Sequence, residues 1–175
     1  MKNNIRIAIC SVISVLLSFS FIFGQKLDDE LLLLAPLTNK NWEGKMPRFG
    51  EGAKRLVRWE VIWDGKAVRQ ITEIKKINFI TETYYFWDPD QQEIGLFSLS
   101  SNGSFLRGHV KEDQGKILMY GMATYPESRL KFKNTFELTE DGKLIDRWFT
   151  FQEGEWKPGH TFELSENKLE RPRPK

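Results

Sequence analysis

Across 175 residues the chain carries 26 basic and 24 acidic side chains and one cysteine. Two of the basic residues, Lys2 and Arg6, lie ahead of residue 24, so residues 25–175 hold 24 of each sign and no cysteine. That balance argues against a nucleic-acid partner, and without a thiol this part can form neither disulfides, thiolate metal sites nor a cysteine nucleophile.

Residues 1–24 read as a secretory signal. Lys2 and Arg6 form a basic head, Ile7 to Phe23 is an uncharged apolar run, and Gly24 offers a small residue for cleavage before Gln25. Ser18-Phe19-Ser20 offers a second cut. The alternative is a retained anchor, and the 17-residue run lies at the lower limit for spanning a bilayer. Cys10 does not fit a lipoprotein cysteine, because Ile9 before it is bulky and most of the apolar run follows it. The expectation is export, to periplasm or medium, with no stable membrane anchor once the signal is cleaved. Residues 25–166 are expected to form one domain and 167–175 a polar, proline-broken tail. Six Trp, four Tyr and, outside the signal, ten Phe suit a packed β core or an aromatic-lined pocket.

A helix is expected over Leu27 to Leu37. Asp28 and Asp29 stand where they can cap it, Pro36 ends it, and Leu31 to Leu34 make it apolar enough to close one end of a barrel. From there on, turn residues recur at Asp64-Gly65, Asp88-Pro89-Asp90, Ser101-Asn102-Gly103, Asp113-Gln114-Gly115, Pro126-Glu127-Ser128, Asp141-Gly142 and Pro158-Gly159. Between them, alternating β-branched and aromatic residues predict strands near 40–47, 54–63, 67–75, 79–87, 93–100, 104–112, 116–125, 130–139, 143–152 and 160–165. Ten strands with short links make an all-β, antiparallel up-and-down barrel.

Two Asp-Gly links predict their own registers. Around Asp64-Gly65, Val61 faces Val68, Trp59 faces Gln70 and Val57 faces Thr72, with Glu60 opposite Arg69 on the other face. Around Asp141-Gly142, a two-residue loop pairs Glu140 with Lys143 and sets Leu138, Phe136, Asn134 and Phe132 opposite Ile145, Arg147, Phe149 and Phe151 on the inner face. A slip of one residue would instead put Leu144 and Trp148 inside and Arg147 in solvent. Polar residues on these inner faces need internal partners or a wet cavity, and a barrel around a ligand supplies the latter.

The run Leu34-Ala35-Pro36-Leu37-Thr38-Asn39-Lys40-Asn41-Trp42-Glu43-Gly44 resembles the entry to a calycin barrel, in which a helical segment leads into a first strand bearing a Trp. Trp63-Asp64-Gly65, Trp87-Asp88-Pro89 and Ser101-Asn102-Gly103-Ser104 resemble bacterial lipocalin-like domains. The resemblance spans about 35–165, and ten strands point within it to the fatty-acid-binding-protein and nitrobindin-like branch. It implies an apolar small molecule, or haem, inside the barrel. Nitrobindin-like proteins hold haem through a histidine near the last strand, where His160 stands here; their glycine-rich first strand is reduced to Trp42-Glu43-Gly44-Lys45-Met46.

The candidate ligand-binding residues are Trp59, Gln70, Asn134, Arg147, Phe149 and His160. An inward Arg147 could clamp a carboxylate bidentately. Asn134, between Phe132 and Phe136, could orient a ligand or bond neighbouring backbone. Tyr84 and Tyr85 occupy opposite faces, so one lines the interior. His109, between Arg107 and Lys111, belongs to the solvated face, and Asn102-Gly103-Ser104 serves as a turn although it matches a glycosylation sequon. No phosphate loop, Gly-x-Ser-x-Gly elbow or metal-ligand spacing occurs, so neither a catalytic residue, a metal nor a cofactor is expected, haem through His160 being the alternative. The expected function is non-covalent binding of a small hydrophobic or amphipathic molecule. A barrel filled by its own side chains and a barrel-mouth isomerase or hydrolase are the rivals.

Overall fold

The computed structural model describes residues 26–168, so the expected signal and most of the expected tail lie outside the described residues. Ten antiparallel strands form a closed barrel: β1 (Lys40–Lys45), β2 (Lys54–Ile62), β3 (Ala67–Ile74), β4 (Phe79–Asp88), β5 (Glu93–Ser100), β6 (Phe105–Asp113), β7 (Lys116–Tyr125), β8 (Ser128–Leu138), β9 (Lys143–Gln152) and β10 (Glu155–Glu166). Each strand pairs with its neighbours in sequence. β1 then meets β10 at Trp42–Glu166 and Glu43–Ser165, which leaves no unpaired sheet edge.

The Asp64-Gly65 link behaves as its sequence predicts. Asp64 and Gly65 have φ of 54° and 91°, and the β2–β3 ladder sets Val61, Trp59 and Val57 opposite Val68, Gln70 and Thr72. Outside, Arg69 donates to Glu60 across the same pair of strands. A Cβ on Gly65 would come within 2.0 Å of the Lys26 carbonyl oxygen, so this turn also seats the incoming chain.

The second link departs from expectation. Only Gly142 takes positive φ (77°) in this loop; Asp141 does not. The Gly142 N–H donates to the Thr139 carbonyl, and the Thr139 N–H to that of Lys143, so three residues rather than two span the turn. The Thr139 hydroxyl holds the loop, donating to Asp141 and accepting from the Lys143 N–H. A type I turn closed by one left-handed glycine is the standard three-residue hairpin. One extra residue in the loop shifts the register, so Phe136 faces Asp146 and Asn134 faces Trp148. Every side chain of β9 therefore changes sides. Leu144, Asp146 and Trp148 point inward, and Arg147 and Phe149 stand on the outer wall. The expected Glu140–Lys143 pair is replaced by Lys143 contacts with Asp141 and Glu163.

β10 begins earlier than predicted, after a turn in which Glu153 and Gly154 have φ of 52° and 85°. Pro158-Gly159 is no turn. It lies within β10, where the register with β9 shifts between Pro158 and Thr161. Gly159 and His160 together oppose Trp148 in this bulge, and His160 shares the inward face of Phe162 two residues on.

Residues 27–37 form no α-helix. A single 3-10 helix, Asp29–Leu34, occupies the segment, and neither Asp28 nor Asp29 caps it; the Asp28 carboxylate instead accepts from Lys66. Leu31, Leu34 and Leu37 are nonetheless fully buried, in one cluster with Trp42, Trp59 and Val68.

Candidate functional site

The interior divides along its length. At the end beneath the 3-10 helix, large apolar side chains fill it. Toward the other end polar side chains join the apolar ones at inward positions, and a cavity of about 260 Å³ opens between the walls. The change is visible within single ladders. Tyr85 and Leu96 face each other one step below Thr83 and Ser98, which precede Thr81 and Ser100. Thr83 donates to Ser98 at 2.9 Å, and Thr81 and Ser100 are bonded at the same distance, so β4 and β5 present a wall of paired hydroxyls.

The floor is built from sequence-expected residues. Tyr85, the inward member of the tyrosine pair, donates to Gln70 Oε1 at 2.7 Å and stacks on Trp59 with centroids 5.1 Å apart. Phe136 meets Trp59 edge-on at 5.6 Å. Burial, together with the charge of Asp146, raises the Tyr85 phenol well above its ordinary value, so it remains a neutral donor. Trp59 supports this floor without lining the cavity, whereas Gln70, Asn134 and His160 do line it.

Opposite the hydroxyl wall lies a group that the expected register hid. Asp146 is 1% exposed, and its Oδ2 forms a short ion pair with Arg55 Nη1 from β2. Its Oδ1 lies 3.8 Å from His160 Nε2, too far for a hydrogen bond, and accepts none from any described residue. Burial opposes ionisation here, but Arg55 and His160 more than offset it, and the carboxyl is held below its ordinary pKa. Asp146 therefore lines the cavity with one oxygen paired with Arg55 and the other buried against His160.

Beside Asp146, four rings form a ladder across β8, β9 and β10. Phe132 stacks on Trp148 at 4.8 Å, Trp148 on His160 at 6.0 Å, and His160 on Phe162 at 4.3 Å. Arg55 sits 4.9 Å from the centre of the Phe162 ring. Because β8 and β10 flank β9, Phe132 and His160 cover opposite sides of Trp148.

A comparison of the sequence with protein-family models yields no match, and no curated protein matches it either. The site is therefore read from its own geometry. Arg147, expected inside, instead pairs with Glu137 at 2.6 Å on the outer wall, and Lys116 joins them at 3.2 Å from Glu137. These hydrogen bonds lower the Glu137 carboxyl below its ordinary value. Phe149 lies under Lys133 on the same wall, with the ammonium 5.1 Å from the ring. Neither residue reaches the cavity.

His160 reaches it, but not as a haem ligand. Its ring is stacked against Trp148 and Phe162, its Nε2 faces Asp146, and the hollow is below the usual size even of small-molecule sites. Haem does not fit these residues.

Arg55, Asp146 and Trp148, with Arg48 and the hydroxyls of Thr81, Thr83, Ser98 and Ser100, line the cavity without having been expected there. For Arg55 a signal existed, because strict alternation back from Trp59 and Val57 places it on the inner face. For Asp146 and Trp148 the signal was the loop. Thr139 three residues before a glycine is suited to a three-residue turn, and that turn alone reverses β9.

Proposed function

We propose that the protein is an exported, calycin-type barrel that binds a small amphipathic molecule non-covalently in its hollow half, where polar and apolar side chains share the lining. One observation carries this reading. Asp146 and Arg55 form a nearly buried ion pair beside an open cavity, and one carboxylate oxygen is left without a donor. A buried pair is a poor stabilising device compared with apolar packing of the same volume. Its presence beside a hollow is better explained by recognition than by stability. The resemblance to ligand-carrying calycin barrels and the aromatic ladder support the same reading, which makes Arg55 and Asp146, with Gln70, Asn134 and His160, the contacts in place of Arg147.

The direct test is uptake of an apolar fluorescent probe. Binding should quench tryptophan emission and should be lost in Ser100→Trp, which places an indole in the hollow. Arg147→Ala should bind as the unaltered protein does. Uptake that survives Ser100→Trp would refute an interior site. Catalysis at the same place is a second reading, favoured by the carboxylate–imidazole pair of Asp146 and His160. Turnover of a bound molecule, with the rate at saturation lost in His160→Gln beyond any change in affinity, would establish it. Export predicts that protein recovered outside the cytoplasm begins at or near Gln25, which intact-mass measurement checks.

A further inference from the structure

The hollow keeps unused hydrogen-bonding groups at its floor and an unpaired charge at its mouth. We infer that it takes a short monoanion that enters with a neutral carbonyl foremost, the carbonyl accepting from the amides of Gln70 and Asn134 and the anionic group staying at Arg48. This rests on the carrier reading above and gives its ligand a class and an orientation.

The floor supplies the donors. Gln70 and Asn134 are 4% and 3% exposed, and both line the cavity. Gln70 Oε1 is taken by the Tyr85 hydroxyl, which leaves the Gln70 N–H groups. Among the described residues neither these nor the Asn134 amide meets a partner, and unlike Asp146 Oδ1 they are not sealed from the hollow. Buried polar groups without partners are costly, so whatever occupies the hollow is selected to meet them. Each amide brings a pair of N–H groups and only Asn134 has a free carbonyl, so the balance favours an acceptor.

Charge sets the orientation. The lining residues of fixed charge are Arg48, Arg55 and Asp146. Arg55 and Asp146 pair with each other, whereas Arg48 meets no carboxylate among the described residues. The Arg48 guanidinium lies 4.7 Å from the centre of the Phe49 ring and 5.7 Å from that of Phe162, on an exposed residue at the mouth. One anionic group there balances the lining, and an ammonium would add to the charge of Arg48. The floor suits an anion less. Burial raises the Tyr85 phenol first, and the charge of Asp146 then raises it ahead of the opposing charge of Arg55. A neutral carbonyl meets the floor donors without facing that charge as an anion would.

Strand geometry sets the length. Gln70, Thr72 and Ile74 line the hollow in turn along β3, so floor and mouth lie about 13 Å apart at a rise of about 3.3 Å per residue. Between them Ile74, Phe79, Phe136 and Phe162 supply apolar surface for a ring or a short chain.

Calorimetric titration of the purified protein with 3-(4-acetylphenyl)propanoate, 3-(4-isopropylphenyl)propanoate and 3-(4-acetylphenyl)propanamide tests this. Isopropyl matches acetyl in shape but accepts no hydrogen bond, and the propanamide matches the acetyl propanoate without its charge. The acetyl propanoate should bind at least about fivefold more tightly than the isopropyl compound, the scale of one hydrogen bond. It should bind about fivefold more tightly than the propanamide, by a margin that shrinks with added salt. Asn134→Leu with Gln70→Met should erase the first preference, and Arg48→Gln the second, each leaving the other in place. The comparison of ligands in the unaltered protein stands even where a variant fails to fold. Equal affinity for the acetyl and isopropyl propanoates, the outcome if water alone serves the floor, would overturn the inference and leave the carrier reading standing. So would equal affinity for the acetyl propanoate and the propanamide, or a preference that survives its own variant. Failure of all three in protein that still takes up the apolar probe would do the same. Loss of probe uptake as well would end both.

Discussion

The two halves of the barrel interior obey the same alternation and reach opposite outcomes. Under the 3-10 helix, inward positions carry Trp42, Trp59, Val68 and Tyr85, and Leu31, Leu34 and Leu37 from the helical segment pack into the same buried cluster. A few residues further along the same strands, inward positions carry Thr72, Thr83, Ser98, Asn134 and Asp146, and a hollow of about 260 Å³ opens. Strand geometry is common to both. Side-chain volume and polarity decide which half is core and which half is site. Stability is thereby separated from recognition, since the filled half can hold the barrel closed while the hollow half keeps groups that packing alone would not select.

The largest effect should come from cutting into the filled half. Trp59→Ala removes a fully buried indole that supports both Tyr85 and Phe136, and should cost about 3–5 kcal/mol in denaturant unfolding. A loss below about 1 kcal/mol would mean that this half is not the stabilising one.

Next in size is the ion pair at the boundary. Arg55→Ala leaves Asp146 buried without its partner and should cost about 3 kcal/mol, at the lower end for broken buried pairs because Arg55 is partly exposed. Arg147→Ala, at the pair once expected inside, should change stability by less than about 1 kcal/mol. Reversal of that order would place β9 the other way round.

Alkaline pH probes the wall away from both halves. Burial and the hydrogen bond to Glu93 push the Tyr120 phenol up to about 12, from an ordinary 10.0. The unfolded chain loses this proton first, so the associated stability is intact below pH 10 and is lost as pH rises toward 12. Tyr120→Phe should flatten that decline in pH-dependent unfolding. Ser98→Ala in the hollow half deletes the bond from Thr83 and should cost about 1 kcal/mol in denaturant unfolding, less than the broken ion pair and more than Arg147→Ala.

Much of this architecture was legible from residue types. Alternation located ten strands, and Asp64-Gly65 fixed the β2–β3 register because both residues accept positive φ. The floor was partly legible too, since Trp59 and Gln70 follow from that register. Asp141-Gly142 has the same two letters and a different loop, because the Thr139 hydroxyl bonds both Asp141 and the Lys143 N–H and so favours three residues over two. No pattern within β9 announces that choice, since Ile145, Phe149 and Phe151 make its outer face look as apolar as its inner one. The bulge at Pro158-Gly159 was read as a turn for a related reason: proline and glycine mark interruptions of a ladder, and only the pairing shows whether the strand ends or swells. His160 was placed inward correctly, and its neighbour Asp146 was lost with the register.

The hollow half is the central claim, and a crystal structure of the protein grown with 4-iodophenol tests it most directly. Iodine scattering inside the barrel, between the paired hydroxyls of β4 and β5 and the Arg55–Asp146 pair, is the result expected. Iodine confined to the outer wall, or an interior closed by its own side chains around Asp146, would contradict it.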